Sequence, residues 1–383
     1  MEDTPMVEEE EQTTPLPTSE TFIPPSVSLH KEQLLLGETY THFSPILTSI
    51  LPTPPAKKST ETTETESPSS EKPSRPAVTL GVDEAGRGPV LGPMVYAAFY
   101  LPSELSTPLL KDAHHFDDSK VLTPAVRASL MHKLCTPDTD LHSSSGWCIS
   151  ALSARDISSN MLRPSTSAAY NLNAQAMDAT VELIRGVIDR GVNVREVYID
   201  TIGRPETYQA KLERLFPGIS ITVAKKADSL YPVVSAASVV AKVTRDVALG
   251  VLWDNEVLLE KMDEGNDGGE EGKVEAEAQV QATVSEPEWG SGYPSDARCT
   301  SWLKRNMHPV FGWGPECRFS WGTAKDMLEA KGMAAKVGWP AGDEEEGNFR
   351  VSDYFSAKQD DDEEQDGDEL RGWFGRSVGA EVF

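Results

Sequence analysis

The tightest constraint on this chain is a pair of carboxylates set beside a glycine turn, Gly81-Val82-Asp83-Glu84-Ala85-Gly86-Arg87-Gly88-Pro89. Upstream, Val78, Leu80 and Val82 alternate with Thr79 and Gly81, the period of a strand. The strand is expected to give way to a Gly-rich loop at Asp83 and Glu84. Adjacent strand residues face opposite sides, so both carboxylates serve one site only if the chain turns here. Gly86 and Gly88 permit the turn and let another backbone approach closely. Arg87 between them is a planar fork suited to phosphate. The combination predicts a divalent-metal site beside a nucleic-acid backbone, and it requires more carboxylates elsewhere.

Two more stand at suitable places. Asp200 closes Glu196-Val197-Tyr198-Ile199, and Asp228 closes the segment after Ile219–Ala224. With Asp83 they are expected at strand C-termini, the edge where open α/β sheets gather their sites. Oxygen ligands suit Mg²⁺, which takes one or two carboxylates together with waters and substrate phosphates. Four carboxylates suffice for two ions about 3.5–4 Å apart that stabilise the attacking and leaving oxygens of an in-line displacement. A single Asp after a strand is more often a turn residue or helix cap, and spacing alone leaves both readings open.

Strand patterns alternate with helical ones from about Ala77. Strands are expected at Met94–Leu101, Gly146–Ser153, Val194–Asp200 and Ile219–Ala224. Helices are expected from Pro124 to about Leu134 with Thr123 as cap, over Leu172–Arg190, before Pro217, from Pro232 to about Leu259, near Arg298–Met307 and over Ala324–Lys336. This is an α/β domain with a helical C-terminal region. Residues 1–76 are rich in Pro, Ser, Thr and Glu and read as a disordered arm, with a modestly apolar island at Tyr40–Leu51 that could dock on the domain. The folded domain is placed at 77–342, interrupted by an acidic low-complexity insertion at 260–286. An acidic, mostly disordered tail follows at 343–383.

A net charge of −26 looks hostile to nucleic acid until it is located. Residues 1–75 carry −8, residues 260–288 carry −8 and residues 343–383 carry −10, so the remainder is neutral. A neutral core with local basic patches can bind a phosphate backbone. The four cysteines show neither CxxC spacing nor a disulfide pattern, and no apolar run reaches membrane-spanning length. The acidic N-terminus lacks the regions of a signal peptide. Gly86, Gly88 and Gly92 give GxGxxxG, and carboxylates directly before it would repel a pyrophosphate, which argues against a dinucleotide site.

Val82–Met94, Asp118–Leu122, Tyr198–Gly203 and Lys226–Asp246 resemble the signature blocks of type 2 ribonuclease H. The run from Lys226 to Ser238 and Gly290-Ser291-Gly292-Tyr293-Pro294 resemble the eukaryotic catalytic A subunit, over about residues 78–335. The resemblance implies a ribonuclease H-like mixed sheet flanked by helices. It implies that Asp83, Glu84, Asp200 and Asp228 are catalytic and hold two Mg²⁺ ions, with Mn²⁺ as a substitute. Gly86, Arg87 and Gly88 would read the ribose 2′-hydroxyl, the group that separates RNA from DNA. Tyr293 would stack on the following sugar. Implied substrates are RNA–DNA hybrids and duplex DNA with embedded ribonucleotides, cut on the 5′ side to leave a 3′-hydroxyl and a 5′-phosphate. Implied partners are two non-catalytic subunits of a heterotrimer, and the implied compartment is the nucleus.

Other polar residues carry two readings each. Lys120 is a phosphate contact or a solvated loop lysine, and Lys225 and Lys226 are likewise attractive to phosphate or simply solvated. Lys242 and Asp246, four apart, are expected to pair along a helix. Asn171 and Asn173 precede a helix, with capping as the default and phosphate contact as the alternative. Asn348–Phe355 resembles a sliding-clamp-binding box with Asn for the usual Gln, though docking on partner subunits fits its acidic flanks better.

Overall fold

The alternation that begins at Val78 forms the central strand of a six-stranded mixed sheet. The computed structural model describes residues 22–46, 50, 75–116, 122–162, 170–201, 204–264, 287–330, 337–338 and 376–377. Helices α1 (Pro25–Ser28) and α2 (Lys31–Leu35) lead into strand β1 (Tyr40–Phe43). The hairpin of β2 (Val78–Ala85) and β3 (Met94–Pro102) follows, then 3₁₀ and π turns over Ser103–Leu105 and Ser106–Ala113. Next come α3 (Pro124–Cys135), α4 (Asp140–Ser144), β4 (Gly146–Leu152), α5 (Ala154–Met161) and α6 (Leu172–Asp189). Strand β5 (Val194–Asp200), α7 (Pro205–Leu215), β6 (Ser220–Ala224), α8 (Ala227–Leu230) and the long α9 (Pro232–Glu264) complete the sheet and its cover. The C-terminal part holds α10 (Ala297–Arg305), α11 (Gly322–Glu329) and a short ladder pairing Val337–Gly338 with Arg376–Ser377.

The sheet order is β1-β4-β3-β2-β5-β6. The pairs from β1 to β2 are antiparallel; β2–β5 and β5–β6 are parallel. Side-chain alternation divides the core into two layers. Val78, Leu80, Val82, Val197 and Ile199 pack with Leu183, Ile184 and Val187 of α6 and with Leu212 of α7. Val95, Ala97, Phe99 and Ile149 pack on the opposite face with Val233, Ala236, Val240 and other small residues of α9. Gly81 explains how closely α9 can lie on β2: a Cβ there would sit 2.4 Å from the Val233 carbonyl oxygen.

Three expectations need correction. The folded part does not begin at residue 77. Residues 22–46 form α1, α2 and β1, and β1 adds to the sheet edge with Tyr40 opposite Ala151. Val27, Leu34, Tyr40 and Ile50 are buried. Tyr40 and Ile50 fall in the apolar island that could dock, whereas the Pro/Ser/Thr/Glu-rich average of the arm hid Val27 and Leu34 upstream of it. Helix α9 also runs five residues past Leu259, into the stretch read as insertion. Finally, β2 continues through Ala85, so Asp83 and Glu84 lie within a strand, and the turn begins at Gly86 with φ of +80°.

Candidate active site

Because β2 stays extended, Asp83 and Glu84 do face opposite sides of the sheet. Asp83 is buried toward α9, where Ser238 hydrogen-bonds its carboxylate. Glu84 faces the α6–α7 side with Arg87, Tyr96 and Asp200 around it. They still belong to one site because both lie at the lip of the sheet, where the end of β5 brings Asp200 against them.

Asp200 closes β5 beside Ala224 of β6. Its Oδ1 accepts the Ala227 N–H at 2.8 Å, which pins the start of α8. Lys226 takes a left-handed backbone, φ +57°, to make that tight entry. Asp228 therefore sits in the first turn of α8, four residues beyond the strand, rather than at a strand end. It is buried, and its carboxylate acts electrostatically on Glu84 and Asp200.

Crowding and burial raise proton affinity at this edge. Burial, then the neighbouring Glu84 charge, holds Asp83 well above the usual carboxylate range. Burial and then Asp200 push Glu84 up to about 7, against the opposing pull of Arg87. Burial raises Asp200, with Asp228 adding to it. Like charges gathered at a partly dry edge are what a divalent cation would neutralise. Among the described residues no three His, Cys, Asp or Glu side chains converge tightly enough to cage an ion alone. The donor set nevertheless fits Mg²⁺, which binds through one or two carboxylates and keeps waters and phosphate oxygens.

The loop after β2 is held from behind. Arg318, completely buried, donates to the carbonyls of Gly86 (2.6 Å), Arg87 (3.0 Å) and Gly92 (2.9 and 3.1 Å). Trp321 Nε1 donates to the Gly88 carbonyl at 3.0 Å, and the Arg318 guanidinium lies over its ring. The three carbonyls of Gly86-Arg87-Gly88 are thus turned inward and satisfied. The N–H groups of Arg87 and Gly88 have no acceptor among the described residues.

Tyr293 comes to this loop from more than 200 residues away. Val90 N–H donates to the Gly292 carbonyl at 2.9 Å. A Cβ on Gly88 would stand 3.1 Å from Tyr293 Cε1, so the ring lies on the glycine. Asp296 fixes the tyrosine loop by accepting Ser291 N–H and Oγ–H at 3.0 and 2.9 Å. Arg245, buried under Gly86, donates to the Ser291 carbonyl at 2.7 Å and joins the two loops.

Of the residues singled out in the sequence, Asp83, Glu84, Asp200, Asp228, Gly86, Arg87, Gly88 and Tyr293 come together. Lys120 and Asn348–Phe355 lie outside the described residues. Asn171 caps α6 through Asn173 and Ala174, and Lys242 pairs with Asp246 at 3.0 Å. Asn173 accepts from Arg87. Sequence reasoning passed over Arg318, Trp321 and the buried role of Arg245. The only available signal was an arginine set among Cys317, Phe319 and Trp321, the surroundings of a buried residue.

The ribonuclease HII family model matches residues 80–268. The A subunit of ribonuclease H2 from Neurospora crassa is 55% identical over 362 residues, covering 94% of this chain and 97% of that one. The Homo sapiens protein of the same description is 43% identical over 280 residues, 72% of this chain and 81% of that one. Among solved structures, ribonuclease H2 from Pyrococcus horikoshii aligns with a TM-score of 0.46 at 27% identity, covering 66% of this chain and 97% of that one.

Proposed function

Because the chain belongs to the family of ribonuclease H2 A subunits, and is a type 2 ribonuclease H, we propose that it cleaves RNA in RNA–DNA hybrids and single ribonucleotides embedded in duplex DNA. Hydrolysis falls 5′ of the ribonucleotide and leaves a 3′-hydroxyl and a 5′-phosphate. The observation that carries this reading is the inward capture of the Gly86, Arg87 and Gly88 carbonyls. It leaves the Arg87 and Gly88 amides as donors beside the carboxylates, with Tyr293 against the same glycine. A ribose 2′-hydroxyl can accept from such an amide, and a deoxyribose offers nothing there.

Asp83, Glu84, Asp200 and Asp228 would hold two divalent ions, Mg²⁺ or Mn²⁺ in its place. When bound, these supply a water made nucleophilic and charge neutralisation at the leaving oxygen. The chain's own contribution is positioning. The amides orient the ribose, Tyr293 packs against the adjacent sugar, and Arg87 faces the phosphate while Asn173 and Tyr96 hold its guanidinium. The chain acts as the catalytic subunit beside two non-catalytic ones, in ribonucleotide removal during DNA replication and repair in the nucleus. The tail segment 348–355 docks on the partner subunits, with a weak sliding-clamp contact as the alternative.

Asp200→Asn tests the site. Asn keeps an Oδ1 able to accept the Ala227 N–H, so α8 stays pinned while one negative charge is lost. Cleavage with Mg²⁺ should fall by at least about 10³-fold, on the order of 4 kcal/mol of barrier, with hybrid binding retained. Near-normal cleavage by this variant would sink the assignment.

A further inference from the structure

From Glu84 and Asp200 an open groove of about 630 Å³ runs outward between α6 and α7. Its α6 wall presents Asn171 and Asn173; its α7 wall presents Arg204, Thr207, Tyr208 and Lys211. Those four positions are spaced i, i+3, i+4 and i+7, so they form one stripe along the helix. Arg204 stands at the N-terminal boundary of α7, only four residues after Asp200 and nearest the carboxylates, and Lys211 lies about 10.5 Å further along the axis. Neither makes an ion pair among the described residues. The one acid on the α6 wall, Asp178, already accepts the Tyr170 hydroxyl at 2.7 Å. Arg87 adds a third cation at the inner end.

A groove open along its length, with carboxylates at one end and cations on one wall, suits a chain of phosphates passing through. It suits neither an apolar ligand nor a closed small-molecule site. We propose that Arg204 and Lys211 hold backbone phosphates of the nucleic acid flanking the one at the carboxylates, which makes the α7 stripe a register device for the duplex. This rests on the reading of the substrate given above and adds a specific wall to it. Arg204 and Lys211 are positioning residues here, remote from the reacting atoms.

Each phosphate neutralised by a cation contributes about 0.9 to the slope of log affinity against log salt on duplex DNA. The experiment measures binding of a fluorescent RNA–DNA hybrid to the full chain in chelator, from about 50 to about 200 mM salt. Arg204→Gln and Lys211→Gln should each lower the slope by about 0.9, and the pair by about twice that. Arg204→Lys should restore it. Arg195→Gln, at the opposite end of β5 from Asp200 and outside the groove, should leave it unchanged. In Mg²⁺ the two groove variants should raise KM and keep kcat. An unaltered slope, an equal loss in Arg195→Gln, or a loss confined to kcat would each overturn the proposal. Failure of the unaltered chain, assembled with its partner subunits, to cleave any hybrid would refute the reaction instead, and the slopes would still decide the groove.

Discussion

Arg318 is a buried guanidinium with no carboxylate in ion-pair reach among the described residues; its counter-charge is the set of loop carbonyls. Burial lowers its pKa to about 9, still high enough to keep the fork charged near neutrality. Arg318→Leu would strip donors from the carbonyls of Gly86, Arg87 and Gly92. Each buried acceptor left without a partner costs about 1–3 kcal/mol, so a loss of at least about 3 kcal/mol is expected in urea unfolding. Cleavage should fall further than stability explains, because the Gly86–Gly88 amides lose their fixed direction. Arg318→Lys should recover only part of both, since an ammonium cannot reach several carbonyls in one plane. Wild-type unfolding free energy in the leucine variant would refute this account. Little of it was legible in the sequence. Asp83 and Glu84 announce themselves beside glycines, whereas Arg318 works through a contact across 232 residues, which no local pattern encodes.

At the scale of elements, the closest joint is β2 against α9 at Gly81. A Cβ there meets backbone, the carbonyl of Val233, and backbone at the first turn of a long helix cannot step aside cheaply. Gly81→Ala is expected to destabilise by about 1–3 kcal/mol, the range for overpacking a tight core. Asp83 is two residues on and bonds Ser238 of the same helix, so metal affinity should weaken with stability. A thermal melt within a degree of the unaltered chain would contradict this. Elements with strong local signals were readable. Thr123 accepts the Val126 N–H at 3.3 Å as an N-cap should, Asn171 caps α6, and β5 runs over the expected residues. Strand β1 was readable only as part of an apolar island able to dock, because four residues in a polar arm gain their strand pairing from β4, a tertiary effect. The continuation of β2 through Ala85 was missed for a related reason. Glycines at 86 and 88 mark where a turn is permitted, while the ladder with β3 decides where the strand ends.

For the whole molecule, charge is the quantity that connects fold to function. Locating the excess acid in terminal and inserted stretches was possible from composition. The gathering of four carboxylates at one sheet edge is expected from aspartates at strand ends and from the family resemblance, while the parallel pairing of β5 beside β2 that brings Asp200 to Asp83 is a tertiary fact composition does not encode. That gathering predicts how stability responds to pH. Glu84 holds its proton to about 7 in the folded chain but only to its ordinary 4.5 when unfolded. Between those values the folded state binds more protons at Glu84, so this group's contribution to stability is fully present below about 4.5 and is lost as pH rises through 7. Glu316, buried away from this cluster and also raised to about 7 by burial, works in the same direction. A divalent metal held there as proposed would need the carboxylates deprotonated, and a ligand of the folded state alone stabilises it by mass action. In chelator, the melting temperature should therefore fall as pH is raised from about 5 to about 8, and the increment restored by Mg²⁺ should grow over the same window. Glu84→Gln and Glu316→Gln separate the two contributions. Both should flatten the chelator profile, but only Glu84→Gln should also reduce the Mg²⁺ increment. A metal increment that stays constant with pH would mean that the carboxylates at the lip are already ionised before metal arrives.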